Sequence, residues 1–104
     1  VEIKKTDISA LEFKMRNIEP LPFKLIDVRE QIEFQTFNLG GTNIPLGILL
    51  RNPEEIEDWK NEEIVLICQH GLRSETARRF LYTNGFKNAR NLLGGILALR
   101  KLNY

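Results

Sequence analysis

Cysteine and histidine each occur once in this chain. A single cysteine excludes an internal disulfide and a Cys-x-x-Cys redox pair, and with one histidine it leaves no donor set for structural zinc. No metal or cofactor is expected. The thiol must stay reduced or turn over, which points to the cytoplasm. Long apolar runs are missing too: none approaches the roughly 18 residues of a membrane span, and no signal peptide is visible. Neither sign of charge is in excess, since 15 lysines and arginines face 14 aspartates and glutamates for a formal net charge of +1. That balance gives no electrostatic reason to expect nucleic acid, and Arg78-Arg79 and Arg100-Lys101 read as solvated helix faces.

The 104 residues, 42% hydrophobic and 28% charged, make a single domain, 1–104, with enough chain to bury a core without staples. The chain opens on Val1 instead of methionine and reads as a domain cut from a longer protein. Composition leaves its oligomeric state open.

Chemistry gathers where Ile64-Val65-Leu66-Ile67 runs into Cys68. Four apolar residues, three of them β-branched, predict a mid-sheet strand covered on both faces. After a short loop, Ser74 offers an N-cap for a helix over 75–84, with Ala77, Phe80 and Leu81 at i, i+3 and i+4. The free N–H groups of a helix start favour an anion, and a thiolate is one. Arg73 adds a cation at the end of the loop. The plainer alternative is that Cys68 is a small buried hydrophobe at a strand end.

The rest of the chain alternates strand and helix. Val1 to Ile3 reads as a short edge strand. Ser9-Ala10-Leu11-Glu12 has capping-box form, and Leu11, Met15 and Ile18 are expected as the buried stripe of the helix that follows, ended by Pro20 and Pro22. Phe23 to Val28 suits a buried parallel strand, with Asp27 and Arg29 at its carboxyl end, the edge where open α/β sheets bind ligands. Those two either reach the Cys68 pocket or brace neighbouring loops, and bracing is favoured. Gln31 to Thr36 reads as a short helix, Gly40-Gly41 as a turn, and Thr42 to Pro45 as a strand. Pro53 to Trp59 fits a helical turn, and Lys60 to Glu63 is expected to be a solvated link. Asn84-Gly85-Phe86 is a helix C-terminus with a left-handed glycine. Ala89 to Leu93 is the last strand, Gly94-Gly95 a tight turn with close backbone approach, and Ile96 to Leu102 a helix with Leu99 inward. The fold class predicted is α/β: a doubly wound parallel sheet with helices on both faces.

Cys68-Gln69-His70-Gly71-Leu72-Arg73-Ser74 resembles the active-site loop of rhodanese-like sulfurtransferase domains. Leu25-Ile26-Asp27-Val28-Arg29-Glu30 looks like that family's Asp-x-Arg segment, and Asn43-Ile44-Pro45 and Leu93-Gly94-Gly95 resemble its other landmarks, in the right order along nearly the whole chain. Two positions depart from it. Phe37-Asn38-Leu39 stands where members often read Gly-His-Ile, with one residue fewer, and Leu99 stands where many have tryptophan.

The resemblance implies that Cys68 takes a sulfur from thiosulfate or a protein persulfide and holds it as a persulfide. The loop residues Gln69, His70, Gly71, Leu72, Arg73 and Ser74 would bind the anion, with His70 at the rim. Cys68 and its loop, with Asn91 to Ala98, look most like the rhodanese domain of adenylyltransferases for molybdopterin or thiamine-type carriers. That implies a ubiquitin-like sulfur-carrier protein as acceptor and a shallow, open pocket. Two other readings stand beside it. A cysteine-dependent phosphatase has a similar cradle but encloses one residue more between cysteine and arginine than the four here. A rhodanese-like module that only binds proteins would need no turnover.

Overall fold

The computed structural model describes residues 5–102. Five strands form one sheet: β1 (Asp7–Ile8), β2 (Lys24–Asp27), β3 (Thr42–Asn43), β4 (Ile64–Ile67) and β5 (Ala89–Leu92). All pairings are parallel, in the order β1-β5-β4-β2-β3. Strand β4 is central, and all of its residues are buried. Its alternation sends Ile64 and Leu66 to one face of the sheet, where they join Leu49, Ile56, Ala77, Leu81 and Phe86. Val65 and Ile67 go to the other, with Phe13, Leu92, Ile96 and Leu99. On the first face Leu49 comes from α3 (Leu46–Arg51), Ile56 from the 3-10 turn Pro53–Trp59, and Ala77 and Leu81 from α4 (Leu72–Thr83). On the second Phe13 comes from α1 (Ala10–Arg16), and Ile96 and Leu99 from α5 (Gly95–Arg100). The doubly wound parallel sheet is as predicted. Helix α2 (Gln31–Thr36) buries none of its residues and follows the carboxyl end of β2, which frees it to border the loop after β4. No helix among the described residues is long and apolar enough to cross a membrane.

Helix α1 shows its other face to the core. Leu11, Met15 and Ile18 are 59%, 69% and 68% exposed, whereas Phe13 is fully buried. Two stripes compete on so short a helix: Leu11 with Met15, and Ala10 with Phe13. The second wins because the Phe13 ring packs on Phe23, centroids 5.6 Å apart, and buries more area than a flexible methionine. Ile18 lies beyond the helix end at Arg16, so its place in the pattern was accidental. Ser9 does cap α1, accepting from the Glu12 N–H at 3.0 Å. The Glu12 carboxylate turns instead to Arg90 and Arg16.

Those arginines also change the reading of the link before β4. Arg16 grips Glu63 with two hydrogen bonds of 2.7 Å, and Arg90 adds a third at 3.1 Å. Held first by Arg16 and then by Arg90, the Glu63 carboxyl lies below the usual carboxylate range. Glu63 is therefore a brace between α1 and the start of β4 and β5, not a solvated residue. Helix α3 was not foreseen, because Leu46 to Arg51 carries no cap signal and buries only Leu49. The edge strand expected at Val1 to Ile3 lies outside the described residues, and the described sheet has β1 as its edge. The Schellman-like end of α4 is as expected: Gly85 has φ +95°, and the Phe86 N–H reaches the Leu81 carbonyl at 2.9 Å.

Candidate active site

Cys68 follows the last residue of β4 and is 1% exposed. Its Sγ accepts from the N–H of Gly71 at 3.1 Å and of Ser74 at 3.4 Å, and lies 3.2 Å from Ser74 Oγ. Ser74 is not the helix cap. Helix α4 begins at Leu72 with Gly71, at φ +93°, in the capping position. The early start depends on glycine twice over. Its φ suits no ordinary side chain, and a Cβ there would stand 3.1 Å from the Gly94 nitrogen. The outcome for chemistry is that Ser74 sits inside the first helical turn, where its otherwise unpaired N–H meets the sulfur.

The rest of the cradle is built by α5. The N–H groups of Ile96 and Leu97 donate to the carbonyls of Cys68 and Gln69, at 2.9 and 3.2 Å. A trans peptide points its N–H opposite its carbonyl. Drawing those two carbonyls toward α5 therefore turns the N–H groups of Gln69 and His70 away from it, into the loop. The N–H groups of Gln69, His70, Leu72 and Arg73 have no hydrogen-bond acceptor among the described residues. Such a run of free donors suits an anion. Gly95 lets α5 come this close, since a Cβ on it would lie 2.5 Å from the Gln69 oxygen and 2.6 Å from that of Cys68.

Asp27 and Arg29 are buried and bonded to each other. The Arg29 guanidinium meets Asp27 at 2.8 to 3.1 Å and donates to the Phe37 carbonyl at 2.6 Å. The Asn43 side chain ties down the carbonyls of both residues. Together they hold β2, β3 and the turn before it, and among the described residues no hydrogen bond joins them to Cys68 or its loop. Arg73 is clamped by Glu33 of α2 through two hydrogen bonds of 2.7 and 3.0 Å. Its charge is thus compensated within the fold. His70 and Leu72 are exposed at the rim, and His70 has no hydrogen-bond partner among the described residues. A groove of about 370 Å³ lined by Arg29, Ile32, Glu33, Phe37, Gln69 and Arg100 adjoins the loop. It reaches the loop at Gln69 and not at Cys68 itself.

Two residues here went unread in the sequence. Asn91 accepts from Ser74 Oγ at 2.5 Å; the available signal was a polar residue inside a buried strand. Glu33 also accepts from the Glu30 N–H at 3.0 Å, and its signal was the capping-box position of α2. Bonding to Arg73 lowers the Glu33 carboxyl to about 2. Because this value lies below the ordinary 4.5, the pair stabilises the fold above that pH and loses its contribution as pH falls toward 2. The stability difference between wild type and Glu33→Gln, measured by urea unfolding, is expected to be constant above pH 5 and to shrink across that window. A half-exposed pair of this kind contributes below about 1 kcal/mol, and less in high salt.

The comparisons with known proteins agree with this geometry. The profile of the rhodanese-like domain matches residues 10–102. Bacillus subtilis YtwF, provisionally named a sulfurtransferase, is 36% identical over 102 residues that cover 94% of this chain and 91% of that one. B. subtilis YrkF, provisionally named a sulfur carrier protein, is 34% identical over 91 residues, covering 86% of this chain but 48% of its own length. A maize adenylyltransferase and sulfurtransferase, MOCS3-2, is 31% identical over 97 residues, 88% of this chain and 20% of the maize protein. The crystal structure of a rhodanese-related protein from Thermoplasma volcanium superimposes with a TM-score of 0.78 at 30% identity, covering 94% of this chain and 93% of that one. With the loop, the sheet order and these similarities in agreement, the chain belongs to the family of rhodanese-like domains.

Proposed function

We propose that this domain transfers sulfane sulfur, with Cys68 as the nucleophile and the Gln69 to Ser74 loop as the anion cradle. The observation that carries this reading is the sulfur at the floor of a ring of N–H donors, several of them unbonded. In the first step the Cys68 thiolate attacks the outer sulfur of the donor. A new S–S bond forms, and sulfite or the donor's thiolate leaves with the electron pair. A nucleophilic acceptor then attacks the outer sulfur and releases the Cys68 thiolate. With an adenylated carrier the outer sulfur is itself the nucleophile, attacking the acyl carbon as AMP leaves, and an added thiol then attacks the Cys68 sulfur of the acyl disulfide to release the thiocarboxylate. Backbone donors steady the charge at each stage without reorganising. The four-residue ring between Cys68 and Arg73 suits one added sulfur better than a tetrahedral phosphate.

The acceptor is read as a sulfur-carrier protein. Leu72, Leu93, Ile32 and Phe37 are 77%, 37%, 71% and 39% exposed, and all lie on connections at the carboxyl edge of the sheet. Apolar side chains around the mouth suit a protein surface better than a small anion, and the names of YrkF and MOCS3-2 point the same way.

Intact mass after incubation with thiosulfate or a desulfurase persulfide tests the first step. A gain of about 32 Da is expected, removed by dithiothreitol and abolished in Cys68→Ser. Transfer to an adenylated carrier, seen as a thiocarboxylate, tests the second. A wild-type protein unmodified by every donor would leave only a protein-binding role.

A further inference from the structure

We propose that Asn91 is a positioning residue: its side-chain oxygen takes the one hydroxyl proton of Ser74, so that Ser74 turns a lone pair and not a donor toward Cys68 Sγ. The inference rests on Cys68 being the reacting sulfur, and it follows from the polarity of a buried chain. Asn91 Nδ2 donates to the Gly71 carbonyl at 3.2 Å. A carbonyl only accepts, so the amide nitrogen must face Gly71 and Oδ1 must face Ser74; the flipped amide would set two oxygens against each other. Ser74 has one hydrogen, and it lies on the short bond to Asn91 Oδ1, 2.5 Å long. What faces the sulfur 3.2 Å away is then a hydroxyl oxygen without its proton.

Cys68, Ser74 and Asn91 are 1%, 0% and 4% exposed, so the bonds among them are shielded from bulk water. If Ser74 swung its proton to the sulfur, Asn91 Oδ1 would be left as a buried acceptor with nothing to accept, which is unfavourable. The inner sulfur therefore keeps two backbone donors, from Gly71 and Ser74, and is denied a third. Fewer hydrogen bonds leave a thiolate more nucleophilic. Once the persulfide forms, its charge sits on the outer sulfur, where the unbonded N–H groups of the loop can meet it, and the inner sulfur needs no donor. The other charges bearing on Cys68 are unchanged by this arrangement. Arg73 on α4 is tied to Glu33, Asp27 at the end of β2, beside Ile67, is neutralised by Arg29, and His70 lies on the loop itself.

Alkylation by iodoacetamide, in which the thiolate displaces iodide, reads the inner sulfur without any sulfur donor, so its result stands apart from the success or failure of sulfur transfer. The rate is measured against pH by intact mass. Asn91→Leu releases the Ser74 proton, and the profile is expected to move toward lower pH, with about a three- to tenfold faster reaction in the acidic limb. In a Ser74→Ala background the same substitution is expected to change the rate by less than about twofold. An equal shift in both backgrounds, or none with Ser74 present, overturns the proposal. Should Asn91→Leu fail to fold, Ser74→Ala alone decides by sign. Loss of a lone pair that steadies the thiol moves the profile toward lower pH, whereas loss of a donor to the thiolate moves it higher and refutes the assignment.

Discussion

Gly95→Ala is expected to abolish persulfide formation at Cys68 while leaving the cysteine itself in place. The residue sits at φ +66°, and its new methyl carbon would lie 2.5 Å from the Gln69 oxygen and 2.6 Å from the Cys68 oxygen. Both are backbone atoms, so neither can rotate away as the end of a side chain would. Either α5 withdraws or the Cys68 loop does, and the bonds from Ile96 and Leu97 to those carbonyls break. Left-handed strain costs about 1–2 kcal/mol, and each lost buried hydrogen bond about 1 kcal/mol. The sum is about 3 kcal/mol or more, a large part of the roughly 5–15 kcal/mol available to a domain. Released carbonyls would also turn the N–H groups of Gln69 and His70 out of the loop. Gly40→Ala is the control: its φ is +88°, but no atom lies within 4 Å of the added carbon. That variant is expected to lose only about 1–2 kcal/mol from strain and to take up sulfur as wild type does. Urea unfolding and intact mass on both variants measure the contrast. Normal sulfur uptake by Gly95→Ala would show that the α5 contact does not shape the cradle.

Asp27→Asn is expected to be as costly for the fold and by a different route. Asp27 is fully buried and Arg29 is 3% exposed. Removing the carboxylate charge strands a buried guanidinium that cannot lose its proton. Breaking such a pair from one side costs about 3–5 kcal/mol. The penalty belongs to the unpaired charge and not to the pair's net worth, so Asp27→Asn with Arg29→Met should recover part of it. Urea unfolding of the single and double variants gives the comparison. A single variant losing less than about 1 kcal/mol would mean that the guanidinium escapes to solvent, contrary to its burial. Since the pair braces β2 and the Phe37 carbonyl without touching the sulfur, the folded fraction of either variant should still take up sulfur on Cys68.

The two substitutions mark where local reading suffices and where it does not. Strand β4 is legible because four apolar residues in a row, three of them β-branched, favour a strand covered on both sides, and a strand so covered sits inside a parallel sheet. Cys68 at its end, a helix soon after, and the paired glycines at 94 and 95 follow from the same logic. Each depends on the conformational preference of a residue and its immediate neighbours. The face of α1 was not legible, because Leu11 with Met15 and Ala10 with Phe13 are both regular stripes, and only the position of Phe23 chooses between them. Nor was the start of α4, which Gly71 brings forward because Gly94 packs against it from another loop.

The partners of the site are the clearest division. By itself the sequence determined where the one thiol stands, because a lone cysteine at the carboxyl end of a central strand, before a helix, is placed by local rules. Only the tertiary structure decided what that sulfur and its loop touch. Glu33 meets Arg73 across 40 positions of chain, and Asn91 meets Ser74 across 17. The physical reason is that hydrogen bonds and ion pairs act over about 3 Å, whereas their members are brought to that distance by crossovers whose direction no local stretch encodes. The place of the thiol is a property of the chain, and the polarity of its surroundings is a property of the sheet edge where three connections meet.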